Sequence, residues 1–361
     1  MNVVMLNGAS CFRKGGASSG GGSSSGGGSS SGGGQKWTGH ADVKGLKAIG
    51  WTDEDIAYYQ ENGVNWNAED DEYHKVPEDN IALYGVLTAS NISDYKDRIV
   101  YLPKIDTSGV TSLYNKFNSC TSLISIPMLD TANAKDMSNM FRGCYSLTSI
   151  PMLNTAKVTN MGSMFYSCYS LTSIPMLDTA NVTSMSYMFQ YCHSLTSIPM
   201  LDTTNVKNMS YMFEYCHSLT SIPMLNTANV TSMSSMFSGC YSLTSIPMLN
   251  TAKVWDMGYM FYGCYSLTSI PMLDTTKVTN MGSMFNICYS LQTANLENIK
   301  NTCIFDKTSL LTKESILYLI NNEAATSAIT ITLSSYCYNK YSTDADVTAA
   351  LANHPNVSLA K

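Results

Sequence analysis

The sequence predicts an α/β solenoid of about nine 24-residue coils, with a small helical module before it and an α+β cap after it. Three observations carry this. A cysteine followed two residues later by Ser-Leu returns every 24 residues, at Cys120, Cys144, Cys168, Cys192, Cys216, Cys240, Cys264 and Cys288. No insertion breaks the period between residues 101 and 291, and a fixed period of this length marks stacked units that bury their apolar faces only against neighbours. Within each copy the apolar residues keep their offsets: Leu171, Ile174 and Leu177 along one edge, then Val182, Met185, Met188 and Phe189 at helical spacing.

The segments follow in order. Residues 1–14 form a mildly apolar anchoring tag. Residues 15–34 are Gly and Ser with the single exception of Ala17, a flexible linker with a reach on the order of 25 Å. Residues 35–98 form a small helical module. Ala41–Ile49 has helical spacing, and Thr52 caps a second helix that stops near Gly63. Trp37, Trp51 and Trp66 bracket the two helices as a small core.

The solenoid occupies residues 99–300, beginning with a degenerate coil near Ile99. Each coil reads as a short strand at Leu-Thr-Ser-Ile, a turn through Asp/Asn-Thr-Ala and a short helix through Met-Ser-x-Met-Phe. The recurrent proline (Pro127, Pro151, Pro175 and equivalents) removes a ladder donor and ends each strand. Thr131, Thr155 and Thr179 form a hydroxyl ladder. Residues 301–361 form the cap. Thr312 opens a helix to about Asn322, Ala328–Leu333 alternates as a strand, Thr343-Asp-Ala-Asp346 opens a last helix to about Asn353, and Val357–Leu359 adds an edge strand.

Composition narrows the function. Only 13% of residues are charged and the net charge is −6, with no cluster of Lys or Arg. That argues against nucleic-acid binding and against an electrostatic membrane patch. No apolar run approaches the roughly 18 residues of a membrane span, so no membrane insertion is expected. The first residues lack the basic start of a secretory signal. The eight spaced cysteines share one packing slot, which makes buried free thiols the expectation over disulfides. Neither a CxxC pair nor a His/Cys cluster is present, so no metal and no cofactor is expected.

Catalytic constellations are also missing. His193 and His217 occupy a slot that holds Tyr145, Tyr169, Tyr241, Tyr265 and Tyr289 in other coils, so they are ladder members. Asp178, Asp202 and Asp274 alternate with Asn154, Asn226 and Asn250 at one turn slot, which suits hydrogen bonding and not ionised chemistry. The chain is therefore expected not to be an enzyme.

Variation between coils concentrates on one flank. Tyr187, Tyr191, Tyr211, Tyr215, Trp255, Tyr259 and Tyr262 stand there, with Gln190 and Glu214 among them. Tyr beside Ser, Asn and Gly is the composition of adaptable recognition surfaces. The same tyrosines could instead shield the coil edges.

The repeat resembles the BspA-like leucine-rich repeat. The motif Leu-Thr-Ser-Ile, Asp-Thr, Val, Met-x-x-Met-Phe and Cys is matched by Leu195, Thr196, Ser197, Ile198, Asp202, Thr203, Val206, Met209, Met212, Phe213 and Cys216. The resemblance implies a leucine-rich-repeat solenoid that binds and does not catalyse, and it transfers no ligand residue. The flanks, including Gly50–Ile56 and Leu311–Ser315, are similar to those of fibre proteins of crAss-like and related Bacteroidales phages. That similarity implies a phage virion fibre or decoration protein on a head or tail. Its N-terminal tag would dock on a virion structural protein, and its solenoid would meet a host cell-surface glycan or protein, as a homo-oligomer such as a trimer. The alternative is a bacterial surface leucine-rich-repeat adhesin.

Overall fold

The computed structural model describes residues 89–96, Ile99, Leu102 and 105–361. The tag, the linker and the module helices with Trp37, Trp51 and Trp66 lie outside the described residues. A 3-10 turn, Ile92–Tyr95, precedes the first coil.

The coils stack in register. Each residue of the series Ser112, Asp136, Asn160, Ser184, Asn208, Ser232, Asp256 and Asn280 makes a parallel bridge to the next, one period along. Inside the stack, like sits on like. Phe117, Phe141, Phe165, Phe189, Phe213, Phe237, Phe261 and Phe285 are fully buried, with consecutive ring centroids 5.4–5.9 Å apart. Columns of Met, Val, Leu and Cys run alongside.

The expected helix through Met-Ser-x-Met-Phe does not form. Residues 161–168 are a run of turns. The N–H groups of Met164, Tyr166 and Cys168 close turns on the carbonyls of Met161, Ser163 and Phe165 at 3.0–3.2 Å. Those of Met161, Ser163, Phe165 and Ser167 instead reach the next coil, at Ser184, Ser186, Met188 and Gln190. Gly162 N–H takes the Asn160 side-chain oxygen. Every donor of the segment is thus satisfied, half of them by the neighbouring coil. A helix would turn its later donors onto its own carbonyls, leave its first four N–H groups without internal partners, and leave the neighbour's carbonyls unmet. Helical spacing of the apolar residues was therefore misleading: the same offsets arise from turns that point Met, Met and Phe inward.

Strand pairing at Leu-Thr-Ser-Ile is also sparser than expected. In the earlier coils it reduces to single bonds such as Thr172 N–H to Thr148 O at 3.2 Å. A continuous pair appears only between β1 (Ser269–Asp274) and β2 (Thr293–Glu297). There Pro271 sits within β1, not at its end, where the register shifts between Ile270 and Leu273. A bulge is where a strand can accommodate a residue without an N–H.

The threonine ladder is present. Thr131, Thr155, Thr179, Thr203, Thr227 and Thr251 are buried, and each hydroxyl donates to a carbonyl of the next coil at 2.8–2.9 Å. The ladder ties coil to coil and does not cap its own turn. The Asp/Asn slot behaves as hydrogen-bonding chemistry: Asp178 and Asp202 accept from the N–H two residues on, as do Asn154 and Asn226.

Stacking does not stop at residue 300. Phe305 continues the phenylalanine column at 4.8 Å from Phe285. β3 (Cys303–Phe305), β4 (Ile329–Leu333) and β5 (Val357–Ala360) form a parallel sheet with Cys303 opposite Ile331 and Ile329 opposite Val357. These coils carry true helices: α1 (Lys313–Asn321), α2 (Ser335–Tyr341) and α3 (Ala345–Asn353). Thr312 caps α1, as its sequence predicts, and Asp344, within the expected opening stretch, caps α3. The sequence reading lacked α2, whose seven residues have no apolar period; Ser334 caps it.

The ten described cysteines are buried and unbridged. Each thiol from Cys144 to Cys288 donates to the carbonyl of the preceding coil's phenylalanine at 3.0–3.1 Å. Burial pushes these thiols up, Cys288 to about 12. Ten described cysteines are therefore expected to react slowly with a thiol reagent in native protein and to titrate together on denaturation. Stoichiometric labelling without denaturant would refute this.

Candidate functional site

The tyrosine flank is built by two backbone positions per coil that lie in the left-handed region. The first holds Asn115, Asn139, Ser163, Tyr187, Tyr211, Ser235, Tyr259 and Ser283, with φ between 51° and 61°. The second holds Ser119, Gly143, Ser167, Tyr191, Tyr215, Gly239, Gly263 and Ile287, with φ between 55° and 72°. Gly and Asn suit this conformation; a Tyr costs on the order of 1–2 kcal/mol there. The neighbouring coil holds it in place: Tyr187 N–H bonds Ser210 O at 3.0 Å and Tyr191 N–H bonds Glu214 O at 2.8 Å. Five of the seven expected residues thus occupy strained positions, a pattern that concentrates at functional sites.

The structure sorts the seven into groups. Tyr187 stacks on Tyr211 with centroids 4.6 Å apart, and Tyr191 on Tyr215 at 4.9 Å. Tyr259 and Tyr262 are tilted against each other at 5.7 Å. Trp255, half exposed, stands apart in the row of Thr231 and Thr279 and has no ring contact with these tyrosines. Tyr166, absent from the expected set, meets Tyr191 edge-on at 5.7 Å and carries the Arg142 guanidinium over its face at 4.5 Å.

Between the two left-handed positions runs a third row: Arg142, Tyr166, Gln190, Glu214, Ser238 and Tyr262. Gln190 Nε2 donates to Glu214 Oε2. Burial raises the Glu214 carboxyl, partly offset by that bond. Burial also raises the phenols of Tyr187, Tyr191 and Tyr215, with the Glu214 charge adding to the effect.

Gly239 shows how tightly this flank is packed. A Cβ built there would lie 2.6 Å from Tyr215 Cδ1, on a backbone with φ of 72°. Gly239→Ala is expected to destabilise the fold by about 1–2 kcal/mol from the backbone alone, with more from the clash. Tyr215→Ser in the same chain should restore the clash portion. No recovery in denaturant melts would show that Tyr215 does not rest on Gly239.

A second aromatic column lies beside the first. Tyr145, Tyr169, His193, His217, Tyr241, Tyr265 and Tyr289 stack at 4.4–5.4 Å, which confirms the two histidines as ladder members. Burial lowers both imidazoles, and His193 lowers His217 further. The unfolded chain therefore takes up protons that the folded chain refuses. This contribution to stability is present above the ordinary value of about 6.5 and is lost as pH falls through the depressed folded values. Glu214, raised by burial, acts in the opposite sense. Replacing His193 and His217 by Tyr should flatten the slope of midpoint against pH between about 7 and 5; an unchanged slope would place the acid sensitivity elsewhere.

Sequence reasoning missed an exposed methionine row. Met128, Met152, Met176, Met200, Met224, Met248 and Met272 are each more than 40% exposed beside buried leucines. Four of them line a groove of about 910 Å³ with the Asp/Asn and Thr slots. The signal was the alternation in Pro-Met-Leu-Asp, where successive residues point to opposite sides and Leu takes the inside.

Among the described residues no three His, Cys, Asp or Glu side chains converge on a metal-sized site. No helix among them is long and apolar enough to cross a membrane.

Solved structures similar to the chain are leucine-rich-repeat proteins. A Treponema pallidum leucine-rich-repeat protein is 24% identical, over 43% of this chain and 69% of that one, with a TM-score of 0.36. A leucine-rich cell surface protein from Faecalibacterium prausnitzii is 18% identical, over 66% and 79%, with a TM-score of 0.29. A leucine-rich-repeat protein from Bacteroides ovatus is 14% identical, over 69% and 86%, with a TM-score of 0.21. No curated protein matches the chain. One family, described as "Mycoplasma protein of unknown function, DUF285", matches residues 89–198 and 196–302, more than half of the sequence, and the chain belongs to it.

Proposed function

We propose that this protein is a non-enzymatic recognition solenoid displayed on a bacterial cell surface, binding a glycan or protein of a host surface through its tyrosine flank. The observation that carries the reading is the placement of Tyr187, Tyr191, Tyr211, Tyr215 and Tyr259 at left-handed positions. Asn or Gly fill those positions in some coils at lower backbone cost, and Ser or Ile287 in others at a cost like that of Tyr, so backbone preference does not select the tyrosines. Two stacked pairs of phenols side by side, with centroids 4.6 and 4.9 Å apart, offer an aromatic patch across two coils. Each contact is weak, so oligomeric display would supply avidity.

The BspA-like character of the repeat and the bacterial family support the cell surface over a virion. The virion-fibre expectation leaned on the tag, the linker and Gly50–Ile56, which lie outside the described residues. It also leaned on Leu311–Ser315, whose Thr312 and Ser315 serve as cap and buried contact of α1. Fractionation of the producing bacterium tests the reading: the protein should be accessible to protease on intact cells and should adsorb to host-surface glycans. Recovery in purified phage particles instead would favour the virion.

A further inference from the structure

Glu214 is a carboxylate without a counter-charge. It is flanked in sequence by Tyr211 and Tyr215, and its charge reaches the phenols of Tyr187 and Tyr191. Among the described residues no Lys, Arg or His lies within ion-pair distance of it. Its protein partner is Gln190, which is 6% exposed and whose Oε1 has no hydrogen-bond partner. His217, edge-on to Tyr215 at 6.0 Å, has its Nε2 likewise unpartnered. Unpaired polar groups therefore gather around one pair of stacked tyrosines. A half-buried carboxylate held without a cation is destabilised by its partial burial, and a cation from the ligand would relieve it. The phenol faces of this row already accept a cation, since Arg142 stacks on Tyr166 one coil before Gln190.

We propose that Glu214, positioned by Gln190 among Tyr187, Tyr191, Tyr211 and Tyr215, is a cation-selecting subsite of the tyrosine flank, and that the ligand is a saccharide bearing a free amine. This rests on the glycan-binding reading above and deepens it. The ammonium pairs with the carboxylate, and the sugar faces lie against the phenols. Acidic glycans are rejected, because the carboxylate has no cation to shield it from them.

The test uses the full chain against immobilised chitosan oligosaccharides, their fully N-acetylated counterparts, a sialylated glycan and polylysine, at a pH where the amine is charged. The expected result is a preference of about tenfold or more for the free-amine saccharide over the acetylated one, and no binding to the sialylated glycan. Glu214→Gln keeps the shape and should erase that ratio while acetylated saccharide still binds. Glu214→Ser, which installs the residue found in this slot at Ser238, serves as a second variant should the first fail to fold. Equal binding of both saccharides by the wild type, or a ratio that survives both substitutions, overturns the subsite but leaves the flank as a glycan-binding surface. Binding to polylysine without any saccharide overturns the saccharide assignment. No binding to any glycan, with or without Glu214, overturns the glycan-binding reading itself.

Discussion

Phe213→Ala is expected to lower the stability of the solenoid by about 3–5 kcal/mol, the largest effect of any single truncation in the coils. Phe213 is fully buried, and its ring stacks on Phe189 at 5.6 Å and on Phe237 at 5.8 Å. Truncation removes both stacking contacts and opens a cavity that the flanking coils cannot close. They are pinned in register by the threonine hydroxyls and the turn N–H groups. A solenoid passes stability from neighbour to neighbour, so a weak central interface also divides the array. Chemical denaturation followed by circular dichroism should show an earlier transition, and a second one if the halves uncouple. A loss below about 1 kcal/mol would mean that the column merely fills space.

The second large effect is on binding. Tyr191, Tyr215 and Tyr262 changed together to Ser should abolish adsorption to host cells or glycans while leaving the thermal midpoint nearly unchanged. Losing the Tyr191–Tyr215 stack costs about 0.5–1.5 kcal/mol. The left-handed backbone cost is the same for Ser, which also carries a Cβ, so it does not change, and Ser already occupies that slot at Ser119 and Ser167. Tyr262, which is not in that conformation, is half-buried and contributes a tilted contact with Tyr259. The net loss of stability should therefore stay within about 1–2 kcal/mol. Earlier unfolding with adsorption intact would mean that the tyrosines only shield the coil edges.

The repeat period by itself determined the architecture. A cysteine, a phenylalanine and a threonine that return every 24 residues leave one arrangement in which each meets its own copy, and those columns are what the structure contains. The slots where Asp alternates with Asn, and Tyr with His, were legible for the same reason. A position that tolerates exchange between coils must serve a property the two side chains share. The expected flank was legible as variation, because the interior slots must repeat to stack and a partner can be encoded only elsewhere.

Only the tertiary structure decided the backbone of the turn run. Apolar residues at helical offsets look alike whether a segment bonds to itself or to the coil beside it, and the choice depends on carbonyls 23 residues away. That choice creates the two left-handed positions, so the strain on the five tyrosines had no sequence signal of its own. It also decided that Trp255 stands apart from them and that the methionines face outward. Most of all, it placed Glu214 without a cation, because the lack of a counter-charge is a property of the surroundings and not of the residue.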